Sequence, residues 1–302
     1  VNVLIDLSAR VKLRLTGADR VRFLNGQVSN DVRLATADAS VYTCVMTIKG
    51  KMCADAFVHA REDALWLDAE PSVRESLPPR LERYLIADDV LLEDVSEDFG
   101  LLHWLPEGDL AAALETARGV EGGWALQSTR FGRPGIDFFA DAAGIATLAQ
   151  CVGLEALAPD SAAVEALRIQ AGVPRWGAEL DENTMPAEAG IEDRAVSYTK
   201  GCYLGQEIVS RVRSVGHVNR HLRGLRSIGV LRPGDLLFHA EREAGRVTSA
   251  TSDPADPARG SIALAFVRRG WDVPGTELSV RPAAPHEPGD APPATVCSLP
   301  FS

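Results

Sequence analysis

No run of about 18 apolar residues occurs in the 302-residue sequence, so no membrane-spanning helix is expected. Charges begin at Asp6 and Arg10 and no long apolar stretch precedes them, which argues against a secretory signal. A cytoplasmic location is the expectation that follows. Cysteine is sparse: Cys44, Cys53, Cys151, Cys202 and Cys297 stand far apart, and no Cys-x-x-Cys occurs. That excludes a zinc ribbon and a thioredoxin-type dithiol, and it makes a resident four-thiolate cluster hard to build. Most of these cysteines read as small buried apolar residues. A phosphate-binding P-loop, a dinucleotide fingerprint and a Gly-x-Ser-x-Gly elbow are all missing. Positive charge is short overall, with a net charge of −11 and a pI near 5.1, so general nucleic-acid binding across the surface is not expected.

What is present is enough apolar residue, 46%, to build sizeable cores in two or three domains. Val11, Leu13 and Leu15 alternate with Lys12 and Arg14, which predicts a strand with one face buried. A short helix is predicted over 18–27, followed by the polar group Asn25, Gln27, Asn30 and Asp31. Val41–Thr47 and Met52–His59 read as strands joined by a Lys49-Gly50-Lys51 hairpin. Asp55 lies in the return strand, either on its solvated face or pointing into a cavity to meet a ligand N–H. A helix is predicted over 73–86, complicated by Pro78-Pro79. Further helices are expected over 109–118, 142–153 and 162–172, the last capped by Ser161. Residues 172–191 read as a long loop rich in acids. From Leu222 the pattern turns to short alternating strands, predicting a small barrel, with a loop over 281–293 and a closing strand after it.

The densest chemistry lies in Lys200-Gly201-Cys202-Tyr203-Leu204-Gly205-Gln206-Glu207-Ile208-Val209-Ser210-Arg211. Its glycines permit a tight turn, and a cysteine between a lysine and an arginine is placed where a thiolate is favoured. Arg211, Arg213, Arg220, Arg223 and Arg226 follow, with no acid after Glu207. Such a run can meet an anionic small ligand, an RNA backbone or the protein's own excess acids. His217 and His221 would share a face if helical, but a third metal ligand is not evident, and no metal site is expected.

The Lys200–Glu207 sequence followed by Arg211 resembles the signature of the YgfZ-like folate-binding proteins of the glycine-cleavage T-protein superfamily. Three upstream stretches are also similar to that family: Phe23-Leu24-Asn25-Gly26-Gln27, Lys49-Gly50-Lys51 with Asp55, and Pro186-Ala187-Glu188-Ala189-Gly190. So is the closing Val296–Phe301. The resemblance covers essentially the whole chain.

It implies an α+β fold in three parts around a central opening: a discontinuous folate-binding domain (1–47 plus 125–222), a second α+β domain (48–124) and a C-terminal β-barrel (223–302). It implies tetrahydrofolate or a derivative as ligand, and iron–sulfur proteins or their assembly machinery as partners, with an RNA-modifying enzyme among the beneficiaries. Direct nucleic-acid or membrane contact is not expected. Cys202 and Lys200 would carry the activity, while Asp55, Asn25, Gln27, Glu188, Tyr203, Gln206 and Arg211 would contact the folate. Gly201, Gly205 and Glu207 would shape the motif. The aminomethyltransferases of the superfamily have further acids. At the corresponding positions this chain reads Gly135-Ile136-Asp137-Phe138 and Ala54-Asp55, lacking one acid in each. An accessory factor is therefore expected ahead of a folate-dependent aminomethyltransferase or demethylase. A module that binds RNA or a partner without folate is the third alternative.

Overall fold

The structure, a computed structural model, describes residues 2–214, 216–283 and 291–301. Two compact units are defined by internal packing: residues 1–159 with 191–210, and residues 160–190 with 211–302.

The first unit begins with β1 (Val3–Asp6), β2 (Val11–Thr16), α1 (Arg20–Gln27), β3 (Val41–Met46), β4 (Met52–Arg61) and β5 (Ala64–Ala69). It continues with α2 (Leu77–Glu82), β6 (Leu91–Asp94), β7 (Gly100–Leu105), α3 (Leu110–Arg118), β8 (Gly123–Ser128), β9 (Gly135–Ala140), α4 (Ala142–Val152) and β10 (Ala156–Leu157). The helix predicted over 73–86 shrinks to α2. Pro78 and Pro79 lack the N–H groups that a helix interior needs and are tolerated only in its first turn, so the helix starts there.

One sheet runs β3-β4-β5-β2-β6, antiparallel throughout. The other runs β10-β1-β7-β9-β8. Helices α3 and α4 cover this second sheet around Leu114, Phe138 and Leu148. Ile136 is fully buried in that core, so it packs the sheet. Strand β2 buries more than its alternation predicts. Lys12 is only 1% exposed, and its Nζ donates to the carbonyls of Ser8 and Arg10 at 2.7 and 2.8 Å.

A buried charged network ties the two sheets together. Arg130 donates through both terminal nitrogens to Asp68 on β5, at 2.9 and 2.7 Å, and through Nε to Asp137 on β9 at 2.8 Å. Arg10 also donates to Asp68, at 2.5 Å. His59 Nε2 lies 2.6 Å from Asp68, and His103 Nδ1 lies 2.7 Å from Asp137. Burial pushes both carboxylates up, but the guanidinium and imidazole neighbours outweigh it and hold them below the usual carboxylate range.

The second unit holds α5 (Ala162–Gln170) and α6 (Pro186–Ala189) from its first segment. The four-residue helix α6 interrupts the stretch 172–191 that reads as loop, and α7 (Glu192–Ala195), which belongs to the first unit, follows it. Helix α8 (Gln206–Ser214) opens beside the Lys200–Gly205 turn, as its sequence predicts. The barrel follows: β11 (Arg220–Ser227), β12 (Leu236–His239), β13 (Arg242–Ser252), β14 (Ser261–Arg268), β15 (Glu277–Arg281) and β16 (Ala291–Cys297). It closes in the order β11-β14-β13-β12-β15-β16. The fold is thus α+β with a closed C-terminal barrel. Part of the loop expected over 281–293, residues 284–290, lies outside the described residues.

Alternation sorts β14 into two faces. Ala263, Ala265 and Val267 fill the barrel interior with Leu225, Leu237 and Val247. Ile262, Leu264 and Phe266 point outward and pack with Ile169 of α5, Leu299 and Phe301.

Candidate functional site

The motif around Cys202 is built onto the C-terminal end of α1. A helix end leaves carbonyls without intrahelical partners. Lys200 supplies them: its Nζ donates to the carbonyls of Asn25, Val28 and Asn30 at 2.5, 2.8 and 2.7 Å. An ammonium has three donors, and all three are used. Burial pulls this lysine down to about 8, with Asp31 opposing and Arg33 adding to the shift. Lys200 therefore anchors the turn through the backbone. The Asn25 side chain accepts from Val32 N at 3.1 Å, and Gln27 Oε1 accepts from Arg80 at 3.1 Å.

The turn then settles on the β3–β4 hairpin. Leu204 N donates to Gly26 O at 3.2 Å. Gly205 sits at φ +87°, and a Cβ on it would lie 2.5 Å from the carbonyl oxygen of Thr47. Glycine is required there for both reasons. A Cβ on Gly201, by contrast, would meet nothing within 4 Å. Gln206 Oε1 accepts from Tyr203 N at 3.3 Å, across the start of α8. Tyr203 is buried, its ring centroid 5.2 Å from the Lys200 ammonium, and its hydroxyl has no partner. Burial raises that hydroxyl's pKa, and Tyr198 and Cys44 push the same way. Between these fixed neighbours the Cys202 thiol is exposed. Glu207 is exposed at the first turn of α8.

Asp55 stands opposite Cys44 in the β3–β4 ladder. It is 8% exposed, so the solvated-face alternative is replaced by a buried carboxylate. Tyr42 donates to its Oδ2 at 3.0 Å, while Oδ1 is buried with no partner. Burial raises Asp55 to about 6, with Arg10 opposing and Glu70 adding. The Cys44 thiol is pushed up by burial first and by Asp55 second, so it stays protonated.

Asn25, Gln27, Asp55, Lys200, Cys202, Tyr203 and Gln206 all belong to the first unit, whereas Glu188 and Arg211 belong to the second. Glu188 caps its own short helix, accepting from Met185 N at 3.0 Å, and pairs with Arg220 at 3.3 Å. The arginine run largely meets the protein's own acids: Arg223 pairs with Asp272 at 3.2 Å and Arg226 with Asp253 at 2.5 Å. His221 lies on β11, 2.8 Å from Asp272, so the two histidines share no helix face. Among the described residues no cluster of three metal-ligating side chains occurs. Sequence reasoning missed Tyr42 and Cys44, which join Asp55 only through strand register. It also missed the Arg10–Asp68–Arg130–Asp137 network, whose members are far apart in sequence and read singly as solvated charges.

Residues 220–302 match the family described as glycine cleavage T-protein C-terminal barrel domain. The fold matches the crystal structure of glycine cleavage system aminomethyltransferase T from Bartonella henselae with a TM-score of 0.85, covering 100% of this chain and 86% of that one at 21% identity. The fold therefore defines a T-protein-like α+β chain with a closing barrel. An iron–sulfur cluster assembly factor, the mitochondrial IBA57 homolog of Mycosarcoma maydis, is 25% identical over 292 residues, covering 86% of this chain and 70% of the relative. The tRNA-modifying protein YgfZ of Yersinia pestis is 28% identical over 228 residues, covering 72% and 69%. The chain is thus similar to the YgfZ, IBA57 and aminomethyltransferase proteins, and its residues 220–302 carry the T-protein barrel domain. No helix among the described residues is long and apolar enough to cross a membrane.

Proposed function

We propose that this chain is a tetrahydrofolate-binding accessory factor for the assembly or maintenance of iron–sulfur cluster proteins, with Cys202 as its working residue. One observation carries the reading: an exposed thiol is held on a turn that is otherwise locked. Lys200 is fixed by three carbonyls, Tyr203 is buried, and Gly205 is pressed against Thr47. A thiol presented in this way serves as a transient ligand for a cluster in transit, because the thiolate is the form that binds iron and, among the described residues, no cluster of three metal-ligating side chains occurs. The relatives named as an iron–sulfur cluster assembly factor and as a tRNA-modifying protein support the same role.

The folate part of the reading rests on two buried polar atoms without partners, Asp55 Oδ1 and the Tyr203 hydroxyl. Buried polar groups are normally hydrogen-bonded, and an orphaned carboxylate oxygen suits a pterin N–H. Asp55 would hold such a ligand, and Tyr42 would orient the carboxylate. Tetrahydrofolate, when bound, supplies a carrier for one-carbon groups. Lys200 fixes the thiol's turn and takes no part in chemistry.

The test pairs two measurements. Cys202→Ser is expected to fold and to bind tetrahydrofolate by isothermal titration, yet fail to restore cluster-enzyme activity in cells lacking the protein. Asp55→Ala is expected to weaken folate binding at least tenfold. Full restoration by Cys202→Ser overturns the accessory-factor role. A methylene- or methyl-folate product formed with turnover from a methylated amine establishes the transferase alternative instead. If tetrahydrofolate does not bind and an RNA or protein partner does, the folate-free alternative holds.

A further inference from the structure

We propose that a cleft of about 340 Å³ on the outer face of the barrel binds the oxyanion group, carboxylate or phosphate, of a small molecule. The cleft is lined by Asp181, Arg220, Arg246, Phe266 and Arg268, with Glu179 and Glu243 at its walls. All of these belong to the second unit, and the inference does not rest on the folate reading.

Strand register assembles the site. Arg220 on β11 stands directly opposite Arg268 on β14. Phe266, two residues before Arg268, shares its outward face and stands opposite Arg246 on β13. Three arginines on three adjacent strands thus surround one aromatic ring. Directly opposed like charges on a ladder are destabilising, so this arrangement favours an anion between them. The Arg220 guanidinium lies over the Phe266 ring, 4.2 Å from its centroid. Stacking of this kind holds the planar fork in a fixed orientation and leaves its edge for hydrogen bonding.

Charge accounting points the same way. Glu179 is satisfied within the protein: it accepts from Arg168 at 2.9 Å, from Arg175 N at 3.0 Å and from Ser249 at 2.6 Å. Asp181 accepts from Asn183 N at 2.8 Å and from the Thr184 hydroxyl at 2.6 Å. The ion pairs of Arg220 with Glu188 and of Arg268 with Glu243 are long, at 3.3 and 3.5 Å. Arg246 makes no side-chain hydrogen bond or ion pair to any described residue. Glu179 and Asp181 are already supplied with donors, whereas the five guanidinium donors of Arg246 are not. Gly245 beside it is required by close backbone approach: a Cβ there would lie 2.1 Å from Phe266 O.

The test is isothermal titration of the full chain with inorganic phosphate and, separately, with glutarate. Saturable binding of at least one probe is expected, and the tighter probe identifies the chemistry as phosphate or carboxylate. Arg246→Gln should weaken that binding tenfold or more with an unchanged circular dichroism spectrum. Arg242→Gln removes an exposed arginine of the same strand outside the cleft and should bind as the wild type does. Absence of saturable binding by either probe overturns the proposal. Equal binding by Arg246→Gln, or an equal loss in Arg242→Gln, overturns it as well, the latter by revealing general charge attraction only.

Discussion

The Tyr42 hydroxyl donates to one oxygen of the Asp55 carboxylate at 3.0 Å, and the other oxygen of that carboxylate is buried without a partner. This half-satisfied acid has a direct consequence for stability. Its pKa is raised by burial from 3.8 to about 6 in the folded chain. A native pKa above the unfolded one means that the folded state holds the proton more tightly. The contribution is fully present below pH 4 and is lost as pH rises through about 6, amounting to roughly 2–3 kcal/mol at about 1.4 kcal/mol per pKa unit. Asp55→Asn should remove this slope between pH 4 and 7 and gain stability at pH 7. Urea unfolding across that range checks it, and an unchanged slope in the variant would show that Asp55 does not titrate there.

The two motif glycines are expected to behave differently. Gly205→Ala combines a left-handed backbone with a Cβ 2.5 Å from a backbone oxygen, and should cost more than about 2 kcal/mol. Gly201→Ala meets open space and should stay within about 0.5 kcal/mol. Chemical denaturation of the two variants side by side distinguishes them. Equal effects would mean that the turn is not seated on the hairpin as described.

Arg130 is the tie between the two sheets of the first unit. Arg130→Met leaves the Asp137 and Asp68 carboxylates buried with fewer partners, and should destabilise the chain by about 3–5 kcal/mol. Adding Asp137→Asn to that variant should recover part of the loss, since one uncompensated buried charge is removed. Thermal unfolding of the single and double variants measures this. A double variant no more stable than the single one would show that Asp137 is compensated by other groups.

Periodicity made most elements legible. Val11–Leu15, the hairpin strands either side of Lys49-Gly50-Lys51, and the helices over 110–118, 142–152 and 162–170 all fall where alternation or the N-terminal residues put them. Ser161, however, expected to cap the last helix, stands at its N-cap position without donating or accepting a capping hydrogen bond, its hydroxyl buried without a partner. The motif residues were legible too, because glycine, cysteine and charge at that density are visible in one dimension. What could not be read was which charge meets which. Arg223 and Arg226 invite an external anion until Asp272 and Asp253 are brought to them from 49 and 27 residues away. Lys12 reads as a solvated lysine, because only the neighbouring strands and the turn at Ser8–Arg10 bury it. Short strands such as Val3–Asp6 and Ala156–Leu157 carry too few residues for a period and exist through pairing, the first with Gly100–Leu105 and the second with the first.

The three carbonyls that Lys200 serves lie 175, 172 and 170 residues before it. During synthesis α1 and the segment after it therefore leave the ribosome long before their anchor exists. Until position 200 emerges, the helix terminus must be satisfied by water, and the seat of the Cys202 turn stays unfilled. The Cys202 thiol takes its place on the turn only at the moment that the N-terminal helix is finished, so no nascent chain can present the motif before its support is in place.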